Sequence, residues 1–247
     1  MSRDIDGALE DWEYKPGVVQ ARIITSDKGR DVIQMRLDLG VLQMEMTGRP
    51  DGDRPFSHAT FFDYLKQEAR RAQRKDKPFV LSEAQCEQSD REFIQFYHRR
   101  VAWMALRKFS LAVADAKHTL AFMNFVREHS PSDEFTQAHE QYRGFVLFHH
   151  TQAAAAEALE RDDAEGAIDA IGDGLKQMRA FFSDFEVEEQ MEDDGMVQQL
   201  RKMERSLREM HHIETTLREQ LEEAVAKEDY EGAAKLRDAL RRREAAM

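Results

Sequence analysis

The sequence predicts a mainly α-helical protein with a small N-terminal antiparallel β-meander, a helical body and a C-terminal antiparallel helical hairpin. Two patterns support this prediction. Between residues 18 and 47, hydrophobic side chains alternate with polar ones, which is the period of half-buried strands. From Asp90 almost to the end of the chain they recur every three or four residues, which is the period of an amphipathic helix.

Three strands are expected in the N-terminal segment. Ser26-Asp27-Lys28-Gly29 supplies a hairpin turn, and Leu39-Gly40 supplies a second turn or a bulge. Two prolines and two glycines in residues 48–55 then fix the turns of a loop. Arg49 and Arg54 in that loop are candidates for binding an anion. Arginines in water, or paired with the neighbouring Asp51 and Asp53, are the favoured interpretation.

The predicted organisation has five parts. They are a loose N-terminus at 1–17, the meander and its loop at 18–56, a helical body at 57–185, an acidic linker and long amphipathic helix at 186–212, and a helical hairpin at 213–247. The acidic stretch 183–195 is expected to be solvated or to fray. The helix that follows it is expected to run without a break into the hairpin.

Two stretches of the helical body repeat at an offset of 55 residues. Phe109, Ala112, Leu120 and Met123 correspond to Ala164, Ala167, Leu175 and Met178. The pattern resembles tetratricopeptide-type helix pairs, in which a small residue lets two helices cross closely. That family's turn glycine and trailing proline are missing from both stretches. A helical bundle with alanines at close contacts is therefore an equal alternative.

Charge and cysteine content exclude several classes of function. The formal net charge is −12, and the last 47 residues contain eleven basic and eleven acidic side chains, so the acidic excess lies in residues 1–200. This argues against a phosphate-binding surface there and leaves Arg241-Arg242-Arg243 as the one dense basic run. The single Cys86 excludes an internal disulfide and fits a reducing compartment. Without an apolar run suited to secretion or membrane insertion, a cytoplasmic protein is expected.

The most informative stretch runs from Ile213 to Glu244, where two helices flank a short turn. One helix carries an apolar stripe of Ile213, Leu217, Leu221, Ala224 and Val225, and the other carries Ala233, Leu236 and Leu240. Asp229 is expected to cap the second helix. Ion pairs are expected between Glu214 and Arg218, Glu223 and Lys227, and Glu231 and Lys235. A hairpin this short buries little, so its stripe needs another surface. With few residues able to reach the body, it is expected to be a folding accessory.

The segment from Lys227 to Asp238, KEDYEGAAKLRD, resembles the UVR motif, the helical hairpin shared by the excision-repair proteins UvrB and UvrC. An acid, Asp229, the aromatic Tyr230, a Glu, paired alanines and Arg237-Asp238 all match that pattern. The segment MRLDLGVLQMEMTGRPDGDRP also resembles a stretch of bacterial UVR-motif proteins, chiefly from planctomycetes. In the UVR family the hairpin pairs with another hairpin. The resemblance therefore implies that the partner is another UVR-motif protein or a second copy, bound by Leu217, Leu221, Val225, Tyr230, Ala233, Leu236, Arg237, Asp238 and Leu240.

Three functions remain open. The leading hypothesis is a non-enzymatic adaptor that uses the hairpin for docking. The second is an accessory that recruits or modulates excision-repair proteins, and the third is an enzyme with an unrecognised site in the helical body. No catalytic, cofactor-binding or metal-binding residue is nominated, because adjacent histidines such as His149-His150 cannot readily share a metal. Nucleic-acid binding is expected to be weak, and membrane association is not expected.

Overall fold

A computed structural model describes the backbone of residues 5–246 and the side chains of residues 5–243. The described residues are 65% helical, with a small three-stranded antiparallel sheet near the N-terminus and a helix pair at the C-terminus, so the predicted fold class is confirmed. The chain forms two compact units, residues 1–146 and residues 147–247. Each is described separately, and the predicted body at 57–185 extends over the boundary between them.

The first unit contains the sheet, five complete helices and the beginning of a sixth. Its elements are α1 (Asp6–Leu9), β1 (Ala21–Thr25), β2 (Asp31–Leu37), β3 (Gly40–Glu45), α2 (Phe61–Gln73), α3 (Glu83–Ala105), α4 (Phe109–His129), α5 (Asp133–Glu140) and the start of α6 (Arg143–Glu160). The second unit contains the rest of α6, then α7 (Ala164–Asp184), α8 (Gly195–His211), α9 (Leu217–Ala226) and α10 (Tyr230–Ala246).

The meander has the strand order β1-β2-β3, with both pairs antiparallel. Ile33 at its centre is fully buried and pairs with Ile23 on one side and Met44 on the other. Gly29 adopts a φ of +72° in the first turn, where a residue with a side chain would be strained. β2 and β3 are joined by a two-residue turn, because Leu37 pairs directly with Gly40.

The loop after β3 contains a buried arginine. Arg49 is only 2% exposed, and its guanidinium donates hydrogen bonds to Gln95 (3.2 Å) and Gln88 (3.3 Å). It also pairs with Asp51 at 3.3 Å. The pairing with Asp51 agrees with the favoured interpretation, whereas an arginine in water or bound to an anion does not describe Arg49. Arg54 is exposed.

A buried carboxylate joins α3 to the start of α2. Glu92 is fully buried and accepts hydrogen bonds from the backbone N–H groups of Phe61 (2.6 Å) and Phe62 (3.1 Å). These are the first two residues of α2, where free amides and the helix dipole favour an anion. Nε2 of His118 lies 3.2 Å from the same carboxylate, and Nε of Arg49 lies 3.9 Å from it. The negative charge of Glu92 is therefore balanced inside the unit.

A second buried ion pair ties the end of the sheet to the helices. Arg99 on α3 donates two hydrogen bonds of 2.8 Å to the carboxylate of Asp115 on α4. Its remaining nitrogen donates to the carbonyl oxygens of Glu45 (3.2 Å) and Gly48 (2.8 Å). Burial lowers the pKa of the neighbouring Arg100 to about 10, although Asp115 acts in the opposite direction. The polar groups of this core thus bond to one another and to the backbone.

The second unit has its own apolar core between α6, α7 and α8. Buried side chains from all three helices form it, namely Phe148, Ala155, Ala158, Ala167, Ile168, Ile171, Leu200 and Leu207. Between α7 and α8, the acidic stretch forms a 3-10 turn at Glu188–Gln190 and buries Met191, which is 3% exposed. Six of the seven acidic side chains of residues 183–195 are exposed, as expected of a solvated stretch, while Met191 anchors the segment.

The offset of 55 residues also recurs in the helix boundaries. α4 begins at Phe109 and α7 begins at Ala164, and each is 21 residues long. Arg107 and Asp162, which precede them, both adopt left-handed conformations with φ near +57° (56° and 58°). Among the helices of residues 5–246, none has both the length and the apolar character needed to cross a membrane.

Replacing Glu92 with alanine should destabilise the first unit by about 3–5 kcal/mol, because two helix-terminal amides and the charge of Arg49 lose their buried partner. The measurement is urea unfolding, in which the midpoint should fall while the slope stays constant. Glu87→Ala, an exposed glutamate of the same helix, is the control and should change the midpoint little. Equal midpoints for the two variants would show that the Glu92 network does not hold the unit together.

Candidate partner-binding hairpin

The helix that leads towards the hairpin is interrupted before the hairpin begins. α8 ends at His211, and His212 adopts a left-handed conformation with φ +55°. The Thr216 hydroxyl then accepts a hydrogen bond from the backbone N–H of Glu219 (3.2 Å), and the Glu219 carboxylate accepts one from the N–H of Thr216 (2.8 Å). This reciprocal capping starts a new helix at Leu217. The predicted unbroken helix into the hairpin is therefore wrong.

Arg208 on α8 fixes this break. Its guanidinium donates hydrogen bonds to Glu219 (2.5 Å), to Glu204 (2.8 Å) and to the carbonyl oxygen of Glu214 (3.0 Å). The bond to Glu219 raises the pKa of Arg208. Burial alone would raise the pKa of Glu219, but the hydrogen bonds from Arg208 and from Thr216 outweigh it and the pKa is lowered. Both charges are therefore stabilised at neutral pH.

Two predictions at the start of the hairpin are wrong because of this break. Ile213 lies outside α9 and packs against the core of the second unit instead of extending the apolar stripe. Glu214 is also outside the helix, so it does not form the predicted i,i+4 pair with Arg218. Arg218 pairs with Asp173 of α7 at 2.6 Å.

The turn between the two helices has the predicted capping. Oδ1 of Asp229 accepts a hydrogen bond from the backbone N–H of Gly232 (2.9 Å), and Glu228 before it adopts φ +60°. A Cβ at Gly232 would lie only 2.3 Å from the Asp229 carboxylate, so a side chain there would force this carboxylate to move. The two predicted ion pairs within the helices are confirmed, at 2.5 Å for Glu223–Lys227 and 2.8 Å for Glu231–Lys235.

The residues predicted to bind a partner divide into two groups. Ala233 is buried, and four residues are half-buried along the helices: Leu217, Leu221, Leu236 and Leu240. The others point to solvent: Val225 is 53% exposed and Tyr230 is 70% exposed, while Arg237 and Asp238 are exposed and 3.4 Å apart. Val225 is therefore not part of a buried stripe.

α9 contacts α7 through polar side chains. The Thr216 hydroxyl, which is fully buried, donates a hydrogen bond to Asp169 (2.7 Å). Arg218 donates to Asp173, and Lys176 donates to Glu222 at 3.2 Å. The expectation that few hairpin residues reach the body is therefore wrong.

α10 contacts the same helix near the C-terminus. Arg243 forms an ion pair with Glu165 and lies 3.4 Å from Asp169. Its side chain is 22% exposed, whereas Arg241 and Arg242 are exposed. The basic run at residues 241–243 is thus divided, because one of its three charges is already used within the unit.

A second dense basic run, which was not predicted from the sequence, lies in the first unit. Residues 70–77, at the end of α2 and in the loop after it, contain five exposed cations: Arg70, Arg71, Arg74, Lys75 and Lys77. Arg71 pairs with Glu68 at 2.6 Å. The signal that identifies this patch is the local density of Lys and Arg, which the strongly negative total charge conceals.

This basic patch adjoins an open cavity of about 630 Å3. Its basic lining comes from Lys66, Arg70 and Lys77, and its aromatic lining comes from Phe79, Phe125 and His129. Two acidic residues, Asp76 and Glu128, also line it. Within the described residues, no group of three or more His, Cys, Asp and Glu side chains is arranged to hold a metal ion.

Comparison with known proteins agrees with the geometry of the C-terminal helices. Residues 215–245 match the UvrB/uvrC motif, a segment that covers α9 and nearly all of α10. Searches of curated proteins and of solved structures found no match. These findings support neither tetratricopeptide-like helix pairs nor a planctomycete origin. The C-terminal hairpin of this chain is similar to the UvrB/uvrC motif, which generally mediates protein interaction.

Proposed function

We propose that the protein is a non-enzymatic adaptor whose C-terminal hairpin docks to a second UVR-type hairpin, in the simplest case that of another copy of this chain. The observation that carries the proposal is the exposure of Val225 (53%) and Tyr230 (70%), which flank the turn of the matched segment. A tyrosine is a typical anchor in protein interfaces, since it combines a large apolar ring with a polar tip.

The two sides of the hairpin serve different purposes in this proposal. The side that carries Thr216 and Arg218 is bonded to α7. The side chain of Tyr230 makes no hydrogen bond or ring contact with any other described residue, and Val225 and Arg237 are also exposed. The partner therefore meets the turn end of the hairpin, where apolar area is still in water. Burying that area is what stabilises the complex.

The cellular location belongs to the same proposal. A cytoplasmic protein fits the single thiol, Cys86, which is buried and whose pKa is raised by burial and by nearby acids. A buried thiol with a raised pKa is unreactive, so it needs no disulfide partner. The alternative of an enzyme with a site in the helical body remains a prediction that none of these observations tests.

Tyr230→Ala should weaken hairpin-dependent association at least about tenfold, because the side chain is the largest exposed apolar group at the turn. Sedimentation of the full chain across a concentration series measures the change, and circular dichroism checks that the helices persist. Tyr142→Ala is the matched control, since Tyr142 is 59% exposed in the first unit. A wild type that stays monomeric at high micromolar concentration would exclude a second copy as the partner. An equal loss of self-association in the Tyr230 and Tyr142 variants would contradict the role of the turn.

A second candidate function is an accessory to excision repair, which requires contact with nucleic acid as well as with a UVR partner. The basic patch at residues 70–77 favours it, because single-stranded nucleic acid binds where cations follow the backbone and aromatic rings stack on bases. Phe79 and Phe125 supply rings in the adjoining cavity. The net charge of −12 opposes long-range attraction, so weak and strongly salt-dependent binding is expected.

Replacing both Arg70 and Lys77 with alanine should weaken binding of a single-stranded oligonucleotide. Its slope of log affinity against log salt should become shallower by about 1.4, since each phosphate contact on a single strand contributes roughly 0.7. Arg74→Ala with Lys75→Ala removes the same charge outside the cavity lining and should have a smaller effect. Tight binding that does not depend on salt concentration, or an equal loss of affinity in the two double variants, would contradict this site.

A further inference from the structure

The turn of the C-terminal hairpin has a second copy in the same unit. Residues 157–167 read EALERDDAEGA, and residues 223–233 read EAVAKEDYEGA, at an offset of 66. Six of the eleven positions are identical, and three more exchange Leu for Val, Arg for Lys and Asp for Glu. The first segment joins α6 to α7, and the second joins α9 to α10.

The two turns also have the same geometry. Oδ1 of Asp163 accepts a hydrogen bond from the N–H of Gly166 at 2.8 Å, as Asp229 does from Gly232 at 2.9 Å. Asp162 and Glu228, the residues before the caps, both adopt left-handed conformations with φ 58° and 60°. A Cβ at Gly166 would lie 2.0 Å from the Asp163 carboxylate, so in both turns a side chain at the glycine would force the capping carboxylate to move.

Side chains around the turns correspond as well. Glu157 pairs with Arg161 at 3.0 Å, matching Glu223 and Lys227 at 2.5 Å. The alanine after each glycine is buried, 0% exposed at Ala167 and 8% at Ala233, and the equivalent residues Leu159 and Val225 are both exposed, 36% and 53%.

The shape of the turn alone does not explain this likeness. The turn between α3 and α4 also contains a left-handed residue, Arg107, with φ 56°. The residue after it, Lys108, forms no side-chain cap, and the sequence there has no Asp-x-Glu-Gly-Ala. The shared polar cap, glycine and alanine therefore distinguish the two hairpins of the second unit from an ordinary helix-turn-helix connection.

We infer that α6 and α7 form a second hairpin of the same kind, and that the C-terminal hairpin pairs with it within one chain. The contacts between them join opposite charges: Arg218 meets Asp173, and Arg243 meets Glu165 and Asp169. At the 66-residue offset, Asp169 stands where the C-terminal hairpin has Lys235, and Asp173 where it has Ala239. The internal copy is thus an acidic complement of the C-terminal one.

This pairing also decides which part of the C-terminal hairpin is left for an external partner. Carboxylates of α7 already occupy Arg218 and Arg243, so the partner meets the exposed turn end at Val225 and Tyr230. The statement about external partners rests on the proposed function, whereas the pairing within the chain rests on the contacts alone.

The test is the full chain carrying Asp169→Asn together with Asp173→Asn, compared with the wild type. Amide hydrogen exchange in α9 and α10 should accelerate by roughly three- to thirtyfold, as expected when two partly exposed ion pairs are lost. Self-association measured by sedimentation should stay as in the wild type, because the turn end that meets the second copy is unchanged. Glu188→Gln with Glu189→Gln removes the same charge from exposed positions and should change neither quantity.

Swapping the two charges of an ion pair distinguishes loss of that pair from a general loss of folding. Arg218→Asp alone should accelerate exchange in α9, and adding Asp173→Arg should restore protection if the two side chains meet as an ion pair. Unchanged exchange in α9 and α10 of the asparagine variant would overturn the pairing within the chain. Accelerated exchange together with weaker self-association would support that pairing and contradict docking through the turn end alone, so the two failures can be told apart.

Discussion

The arrangement of the second unit depends on the interruption of one helix between His211 and Leu217. The Thr216 hydroxyl and the Glu219 carboxylate exchange hydrogen bonds with each other's backbone, and Arg208 holds the carboxylate from α8. If the helix continued through this point, α9 would extend away along the axis of α8. The cap redirects it, so that Thr216 and Arg218 reach carboxylates of α7. Both the folded-back hairpin and its free turn end follow from this local constraint.

Electrostatics explains why the hairpin returns to its own chain. α7 carries Glu165, Asp169 and Asp173 at intervals of four residues, which places the three carboxylates along one side of the helix. The three carboxylates repel one another unless cations lie nearby. α9 and α10 supply these cations, Arg218 and Arg243. These two arginines therefore offset the carboxylates of α7 locally, although the segment that carries them has no net charge. The hairpin is therefore held at its base and exposed at its turn.

The features that the sequence predicted correctly depend on interactions within a few residues. The strand turns, the Asp229 cap and the pairs Glu223–Lys227 and Glu231–Lys235 all follow from spacings of four residues or fewer. The break before α9 has a local signal too, since Thr216 and Glu219 have the spacing of a capping box. The apolar period continues through that point as Met210, Ile213 and Leu217, and it obscures the signal.

Contacts between distant segments could not be predicted in the same way. Thr216 and Asp169 are 47 residues apart, and nothing in the residues themselves selects that partner over other acids of the chain. Burial of Arg49, Glu92 and Arg99 depends equally on tertiary packing, because charged residues in a polar loop or helix usually face water. The internal copy of the hairpin is visible in the sequence, but its signal is the polar cap and glycine rather than the apolar spacing.

The most direct test is the distance between α7 and α9 in solution. Spin labels at Lys176 and Glu222, whose charged groups lie 3.2 Å apart, report it in a full chain with Cys86→Ser, which removes the single native thiol. Pulsed electron resonance on dilute monomer should give one narrow distribution at the shortest separation that the labels allow. A broad distribution extending to long distances would show that the hairpin is not held on α7, and would contradict the pairing of the two hairpins within the chain.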